Sequence, residues 1–263
     1  MQNLTVTTVQ TSLYWENPGA NLAMLEEKIW NAGSIGDLIV LPEMFTTGFT
    51  MNAPALAEPM NLTTCRWMKQ MAAQTGAVLT GSIIIRENSR YYNRMLWVEP
   101  DGRIDFYDKR HLFRMADEHL VFSAGEKRLI KELKGWKIAP FICYDLRFPV
   151  WSRNTEAESY DLAIYIASWP AARTLAWNTL LPARAIENQC YVTGVNRTGT
   201  DGKAIVYEGS SGIWNFLGEK INDSGHAEVI QTGSLDMAKL QSFRSAFPAF
   251  RDSDRFSIHQ TGR

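Results

Sequence analysis

Short apolar runs alternate with amphipathic stretches along this chain, and the alternation predicts strands and helices in turn. Residues 4–9 read as a first strand. Asn17-Pro18 then opens an amphipathic helix through Ala23, Leu25 and Ile29-Trp30 to about Ala32, because asparagine caps a first turn and proline tolerates one. The run Leu38-Ile39-Val40-Leu41-Pro42 is apolar without alternation, which predicts a strand buried on both faces that runs straight into Glu43. A loop over 44–49, a helix over 62–74 stopped by Gly76 and a strand over 77–85 continue the order. Residues 91–98 and 103–107 flank Glu99-Pro100-Asp101-Gly102, whose turn chemistry predicts a hairpin.

From Arg110 to Gly125 the chain is polar and aromatic with little periodicity. A loop of that length in a compact domain is generally functional or mobile, and this one is expected to border the site. Residues 138–142 form another apolar run that breaks off at Cys143, and Asp145 with Pro149 supplies turn and helix-start chemistry. A strand over 161–167, a Ser168-Trp169-Pro170 loop, a long helix over 175–189 and a strand over 191–196 follow, then a turn-rich connection over 197–203. Segments near 204–206, 211–215 and 227–232 read as short antiparallel strands, with Gly218 turning between the last two. Residues 237–263 read as a C-terminal tail in which Phe243, Phe247, Phe250 and Phe256 interrupt polar sequence. A subunit interface is expected there, with packing on the tail's own domain left open. The whole pattern defines an α/β layered fold, drawn from the pattern alone as one open, partly parallel sheet.

Composition narrows the function classes. With 263 residues and 45% hydrophobic content, the chain suits one domain, 1–263, with a large core. A formal charge of -1 leaves no excess positive field for nucleic acid or anionic lipid, so a small molecule is the expected partner. Cys65, Cys143 and Cys190 are odd in number and lack metal-like spacing, and the N-terminus alternates like a strand rather than a signal peptide. No apolar run approaches the roughly 20 residues that span a bilayer. The cytoplasm is the expected setting.

Glu43, Lys109 and Cys143 each end a predicted strand. Carboxyl ends of neighbouring strands form the usual ligand crevice of α/β proteins, so residues far apart in sequence can converge there. Singly, each has an ordinary explanation: a turn glutamate, a solvated lysine in Asp108-Lys109-Arg110, a core cysteine. Together they supply covalent acyl transfer. The Cys143 thiol attacks a carbonyl carbon, and Glu43 takes its proton and returns it to the departing amine. Lys109 and the backbone N–H of Tyr144 face the oxyanion, and the lysine charge with helix-terminal amides is expected to favour the thiolate. Glu118, in the long loop, is a candidate to orient Lys109 or the attacking water. His111 stays open as a rival base, whereas His119, His226 and His259 have no partner pattern. No G-x-S-x-G, glycine-rich phosphate loop, C-x-x-C or H-E-x-x-H occurs, so no cofactor or metal is expected.

The motifs L-P-E-M-F at 41–45, Y-D-K-R-H-L-F at 107–113 and I-C-Y-D-L-R-F-P at 142–149 resemble those of the nitrilase superfamily of carbon–nitrogen hydrolases. The likeness runs from the first strand through 183–192 to about Asp236. The resemblance implies Glu43 as general base, Lys109 as oxyanion stabiliser, Cys143 as nucleophile and Glu118 as an additional site glutamate. It also implies a four-layer α-β-β-α sandwich, with two stacked sheets in place of one, pairing into an α-β-β-α-α-β-β-α homodimer. R-M-A-D-E-H at 114–119 and S-W-P-A-A-R at 168–173 look like the omega-amidase branch, which hydrolyses the terminal amide of 2-oxoacid amides such as 2-oxoglutaramate. Such a substrate carries a carboxylate at its far end. Arg173 is the candidate to bind it, with Phe45, Tyr144 and Trp169 as walls. A helix-flanking salt bridge is the alternative for Arg173, and Arg147 reads as structural. A nitrilase or N-carbamoyl amide hydrolase would keep the same triad, and a non-catalytic scaffold is the third reading.

Overall fold

The computed structural model describes residues 2–156, 158–254 and 256–258, and its elements follow the predicted alternation. The first half comprises β1 (Leu4–Gln10), α1 (Pro18–Trp30), β2 (Leu38–Val40), α2 (Ala53–Leu56), α3 (Thr63–Thr75), β3 (Val78–Glu87), β4 (Arg90–Val98), β5 (Ile104–Asp108) and α4 (Glu118–Val121). The second comprises β6 (Lys131–Leu133), β7 (Trp136–Ile142), β8 (Leu162–Ala167), α5 (Thr174–Asn188), β9 (Tyr191–Asn196), β10 (Thr198–Thr200), β11 (Val206–Glu208), β12 (Gly212–Trp214), β13 (Lys220–Asp223), β14 (Val229–Leu235) and α6 (Met237–Ala246). Asn17 caps α1 by accepting the Ala20 N–H at 3.1 Å, and Gly76 ends α3 at φ 67°.

Each of two six-stranded sheets is built on three parallel strands, β1, β2 and β3 in one and β7, β8 and β9 in the other. Antiparallel strands complete the orders β14-β1-β2-β3-β4-β5 and β13-β12-β9-β8-β7-β6. Val6, Leu38, Val40 and Trp97 of the first sheet share one core with Ile138, Phe141 and Ile164 of the second, so the sheets stack face to face. Helices α1 and α3 cover the first sheet with Leu25, Ile29, Met68 and Met71, while α5 and α6 cover the second with Trp177, Leu181 and Leu240. This is an α-β-β-α sandwich, with two sheets where pattern alone drew one. Strand side chains alternate in direction, so Leu38 and Val40 enter the inter-sheet core while Ile39 and Leu41 enter the helix-side core. Neither face meets water, which is why the run is wholly apolar.

Several elements depart from expectation. No helix begins at Pro149; a 3₁₀ turn over Cys143–Arg147 follows β7 directly. Gly218 turns between β12 and β13, whereas β14 leaves that sheet and pairs antiparallel with β1 at the edge of the other. A ribbon of β10 and β11 replaces the expected turn-rich connection. In the tail, α6 folds onto its own chain: Met237 and Leu240 are buried, Phe243 stacks on Phe216 at 4.7 Å, and Arg244 Nη1 donates to Asp161 at 2.6 Å. Phe247, Phe250 and Phe256 are exposed. Arg255 and residues 259–263, His259 among them, lie outside the described residues. No helix among the described residues is long and apolar enough to cross a membrane.

Candidate active site

The three strand-end residues converge at the seam between the sheets. Glu43 follows β2 and Lys109 follows β5 in the first sheet, and Cys143 follows β7 in the second. Two glycines permit the approach. A Cβ at Gly81 would lie 2.8 Å from Leu41 Cβ and 2.9 Å from Phe45 Cδ1, so the segment around Glu43 packs directly on the β3 backbone. At Gly125 a Cβ would lie 2.1 Å from the Asp108 carbonyl, and the Gly125 N–H donates to the Lys109 carbonyl at 2.9 Å. Met44 and Cys143 both take left-handed backbone, φ 45° and 46°. Such strain costs on the order of 1–3 kcal/mol per non-glycine residue and is characteristic of functional turns. Here it marks the residue after the carboxylate and the thiol itself.

Lys109 Nζ donates to Glu43 Oε1 at 2.8 Å and to Glu118 Oε1 and Oε2 at 3.0 and 2.9 Å. Glu43 Oε1 also accepts from Asn93 Nδ2 at 2.8 Å, and its Oε2 accepts the Ser168 N–H at 2.8 Å. Glu118 Oε2 accepts the Phe113 N–H at 2.6 Å. All three charged side chains are buried. Burial alone would lower the Lys109 ammonium, but Glu118 and Glu43 outweigh it and hold the group above its ordinary value. Burial pushes the Glu118 carboxyl up, against the pull of Lys109. The Cys143 thiol stands well above its ordinary value because it is desolvated and faces Glu43, with Lys109 opposing. Lys109 does favour the thiolate, as expected, but burial and the neighbouring carboxylate outweigh it.

Asp145, two residues past the thiol, fixes its turn. Its Oδ2 accepts the Ile142 N–H at 3.0 Å and the Tyr107 hydroxyl at 2.7 Å, and its Oδ1 accepts the His111 N–H at 2.9 Å. His111 Nδ1 lies 2.7 Å from the same Oδ1, and its ring stacks on Phe148 at 3.8 Å. His111 Nδ1 is thus engaged with Asp145, while Glu43 is the carboxylate that faces the Cys143 thiol. Tyr144 is second in the 3₁₀ turn, where backbone N–H groups lack intrahelical acceptors.

A cavity of about 170 Å³ opens over Cys143, walled by Phe49, Phe113, Tyr144 and Trp169. Arg173 reaches it with its guanidinium over Phe113 at 5.3 Å, and Arg147 lies over Trp169 at 4.9 Å. Neither joins an ion pair among the described residues, so the helix-flanking salt bridge for Arg173 does not form, and Arg147 borders the cavity as well as supporting it. Trp169 donates its indole N–H to the Arg173 carbonyl at 2.8 Å, and Asn196 Oδ1 accepts the Trp169 N–H at 2.8 Å. Phe45 is not a wall. It is fully buried in the helix-side core against Trp67, ring centroids 6.0 Å apart, and Phe49 takes the wall position. Pattern reading also missed Asn93, the Ser168 N–H and Asn196. An asparagine inside the strand run Tyr91-Tyr92-Asn93-Arg94-Met95 was the available signal.

A thiol, a carboxylate and an ammonium gathered at the seam of an α-β-β-α sandwich define the class of enzymes that cleave carbon–nitrogen bonds through cysteine. The chain belongs to the carbon–nitrogen hydrolase family, whose model matches residues 5–245. It is 48% identical to the omega-amidase YafV of Escherichia coli (strain K12), over 98% of this chain and 100% of that one. The 2-oxoglutaramate amidase of Bacillus subtilis (strain 168) is 35% identical over 94% of this chain and 96% of its own. Among solved structures, a CN-hydrolase superfamily protein of Xanthomonas campestris with an arsenic adduct in its active site matches with TM-score 0.96 and 42% identity, covering 98% of this chain and 100% of that one. Nit3 of Saccharomyces cerevisiae, a nitrilase-superfamily member, matches with TM-score 0.83 and 26% identity over 94% of this chain and 95% of its own.

Proposed function

We propose that this enzyme is an omega-amidase, hydrolysing the terminal amide of small 2-oxoacid amides such as 2-oxoglutaramate to the 2-oxoacid and ammonia. The observation that carries the reading is the cavity itself, with thiol, carboxylate and ammonium at one end and, along its walls, two guanidiniums that join no ion pair among the described residues. One end suits an amide carbon and the other a carboxylate. The names and lengths of the relatives support the same substrate class.

In this mechanism Cys143 Sγ bonds to the amide carbon as its proton passes to Glu43. The carbonyl oxygen becomes an oxyanion held by Lys109 Nζ and the Tyr144 N–H. Glu43 returns the proton to nitrogen, the carbon–nitrogen bond breaks, and ammonia leaves a thioester on Cys143. Glu43 then takes a proton from water, whose oxygen attacks the thioester carbon. Collapse releases the acid and restores the thiol. Glu118 keeps Lys109 aimed, Arg173 binds the far carboxylate, and Trp169 and Tyr144 flank the chain between. The assay is ammonia release from 2-oxoglutaramate, and a folded enzyme that releases none removes the assignment.

Exposed Ile186, Leu217, Phe247 and Phe250 line one groove beside α5 and α6, which supports pairing of two copies there. Light scattering that gives a monomer mass would oppose it. Three unpaired cysteines support a reducing compartment, the cytoplasm.

A further inference from the structure

Asn93 has no part in the steps above, yet its position is costly. It lies in β4, between β3 and β5, with no exposed surface. Asparagine is a poor strand residue, and its buried amide must be satisfied. Its Nδ2 donates to Glu43 Oε1 at 2.8 Å and reaches Glu118 Oε1 at 3.4 Å. Its Oδ1 is buried with no partner among the described residues. An amide oriented for its own sake would not leave its oxygen unpaired. Turned over, it would point that oxygen at two carboxylates, so the carboxylates dictate the orientation. The backbone agrees, because the Asn93 carbonyl accepts the Lys109 N–H at 3.0 Å.

We propose that Asn93 is a positioning residue that selects which oxygen of Glu43 handles the proton, an inference resting on Glu43 as the general base. Glu43 Oε1 receives both Lys109 Nζ and Asn93 Nδ2, each at 2.8 Å. A carboxylate oxygen offers two acceptor sites, and both are then filled. Among the described residues Oε2 receives the Ser168 N–H alone, at 2.8 Å. Its second site is the one left for the Cys143 proton. Asn93 also keeps Glu43 and Glu118 in register around the one ammonium they share, so that Lys109 does not have to hold both carboxylates by itself.

The test is Asn93→Leu, nearly isosteric and without donors, beside Asn93→Ser, which keeps one hydroxyl donor. Two rates are followed against pH: alkylation of Cys143 by iodoacetamide, and ammonia release from 2-oxoglutaramate. In Asn93→Leu, kcat is expected to fall roughly 10- to 100-fold with KM within about threefold, as for other residues that orient a reacting group. The acid limb of both profiles moves up by about half a pH unit or more, because the Glu43–Glu118 pair loses a donor that favours its ionised form. Asn93→Ser falls between. A residue that merely supports the fold would lower the unfolding temperature and leave the limb in place. An unmoved limb with wild-type kcat overturns the proposal. Should Asn93→Leu not fold, Asn93→Ser is read by the same two profiles, and an unmoved limb there overturns it. Native enzyme that releases no ammonia from this amide removes the substrate reading alone, since alkylation still decides the role of Asn93.

Discussion

Replacing Lys109 by methionine preserves the length of the side chain and removes the charge that two buried carboxylates share. The ammonium lies 2.8 Å from Glu43 Oε1 and 2.9 Å from Glu118 Oε2, and none of the three is more than 1% exposed. Removing one partner from a buried ion pair costs about 3–5 kcal/mol. For a domain of this size, that lowers the unfolding temperature by roughly 6–20 °C. The loss also has a definite pH dependence. Without the ammonium, two adjacent carboxylates cannot both stay ionised, so the folded variant keeps a proton that the unfolded chain releases. Its stability therefore falls as pH rises from about 5 to 8, by at most about 1.4 kcal/mol per unit. Native Lys109 is different: it is held above its ordinary 10.5, so its contribution is complete over that range and fades only as pH rises through the folded value. Turnover falls as well, by roughly 100- to 1000-fold, the cost of one oxyanion donor. Thermal unfolding at four pH values beside ammonia release measures both effects. Turnover within about tenfold of the native enzyme, or a stability loss that does not grow with pH, would refute the reasoning.

Cys143 should be the one thiol that an electrophile labels in the folded enzyme. Cys65 and Cys190 are fully buried, whereas Cys143 lines the cavity and is only partly buried. Mass spectrometry is expected to find one adduct, lost in Cys143→Ser together with ammonia release; labelling of the other two before unfolding would contradict this. Arg173→Leu removes a charged hydrogen bond of about 1.5–3 kcal/mol, so kcat/KM for 2-oxoglutaramate drops roughly 10- to 150-fold, chiefly through KM. A neutral amide such as propionamide should be unaffected, and equal losses on both substrates would sink the role. Phe45→Ala is expected to cost about 3–5 kcal/mol of stability while KM stays within about twofold. A KM rise matching that of Arg173→Leu would return Phe45 to the cavity wall.

The candidate strand ends at Glu43 and Cys143 were legible because burial writes them into composition. Residues 38–42 and 138–142 tolerate nothing polar, so the first glutamate or cysteine beyond them stands out against the run. The layering was not legible from alternation, which tells which side chains share a face but not whether a second sheet or a helix lies across it. Short polar strands such as β6 and β13 bury too little to leave a pattern, and a strand of that length is fixed by its neighbour. Phe45 was misplaced because the direction of a loop side chain depends on backbone sign, and Met44 takes a positive φ that its residue type gives no reason to expect. The polar pair Asn93-Arg94 looks like a solvated stretch, yet both side chains are buried. Arg94 is affordable there only through Asp108, 2.7 Å away, and Glu87, 3.1 Å away, partners that adjacent strands supply and local sequence does not reveal.

Placing the site at a seam divides the chemistry between the sheets. The first contributes the carboxylate, the ammonium and Asn93; the second contributes the thiol, the Ser168 N–H and the cavity walls around Trp169. Contacts that cross the seam fix the candidate groups relative to one another: Ser168 N–H to Glu43, Tyr107 hydroxyl to Asp145, and His111 to the same carboxylate. These contacts begin within two residues of a reacting group or at the group itself, and each is anchored next to a strand rather than at a free loop tip. Rigid elements hold such a constellation to the tolerance that acyl transfer demands. The same stacking buries Glu43, Lys109 and Glu118, so their charges act on one another and on the Cys143 thiol with little solvent screening.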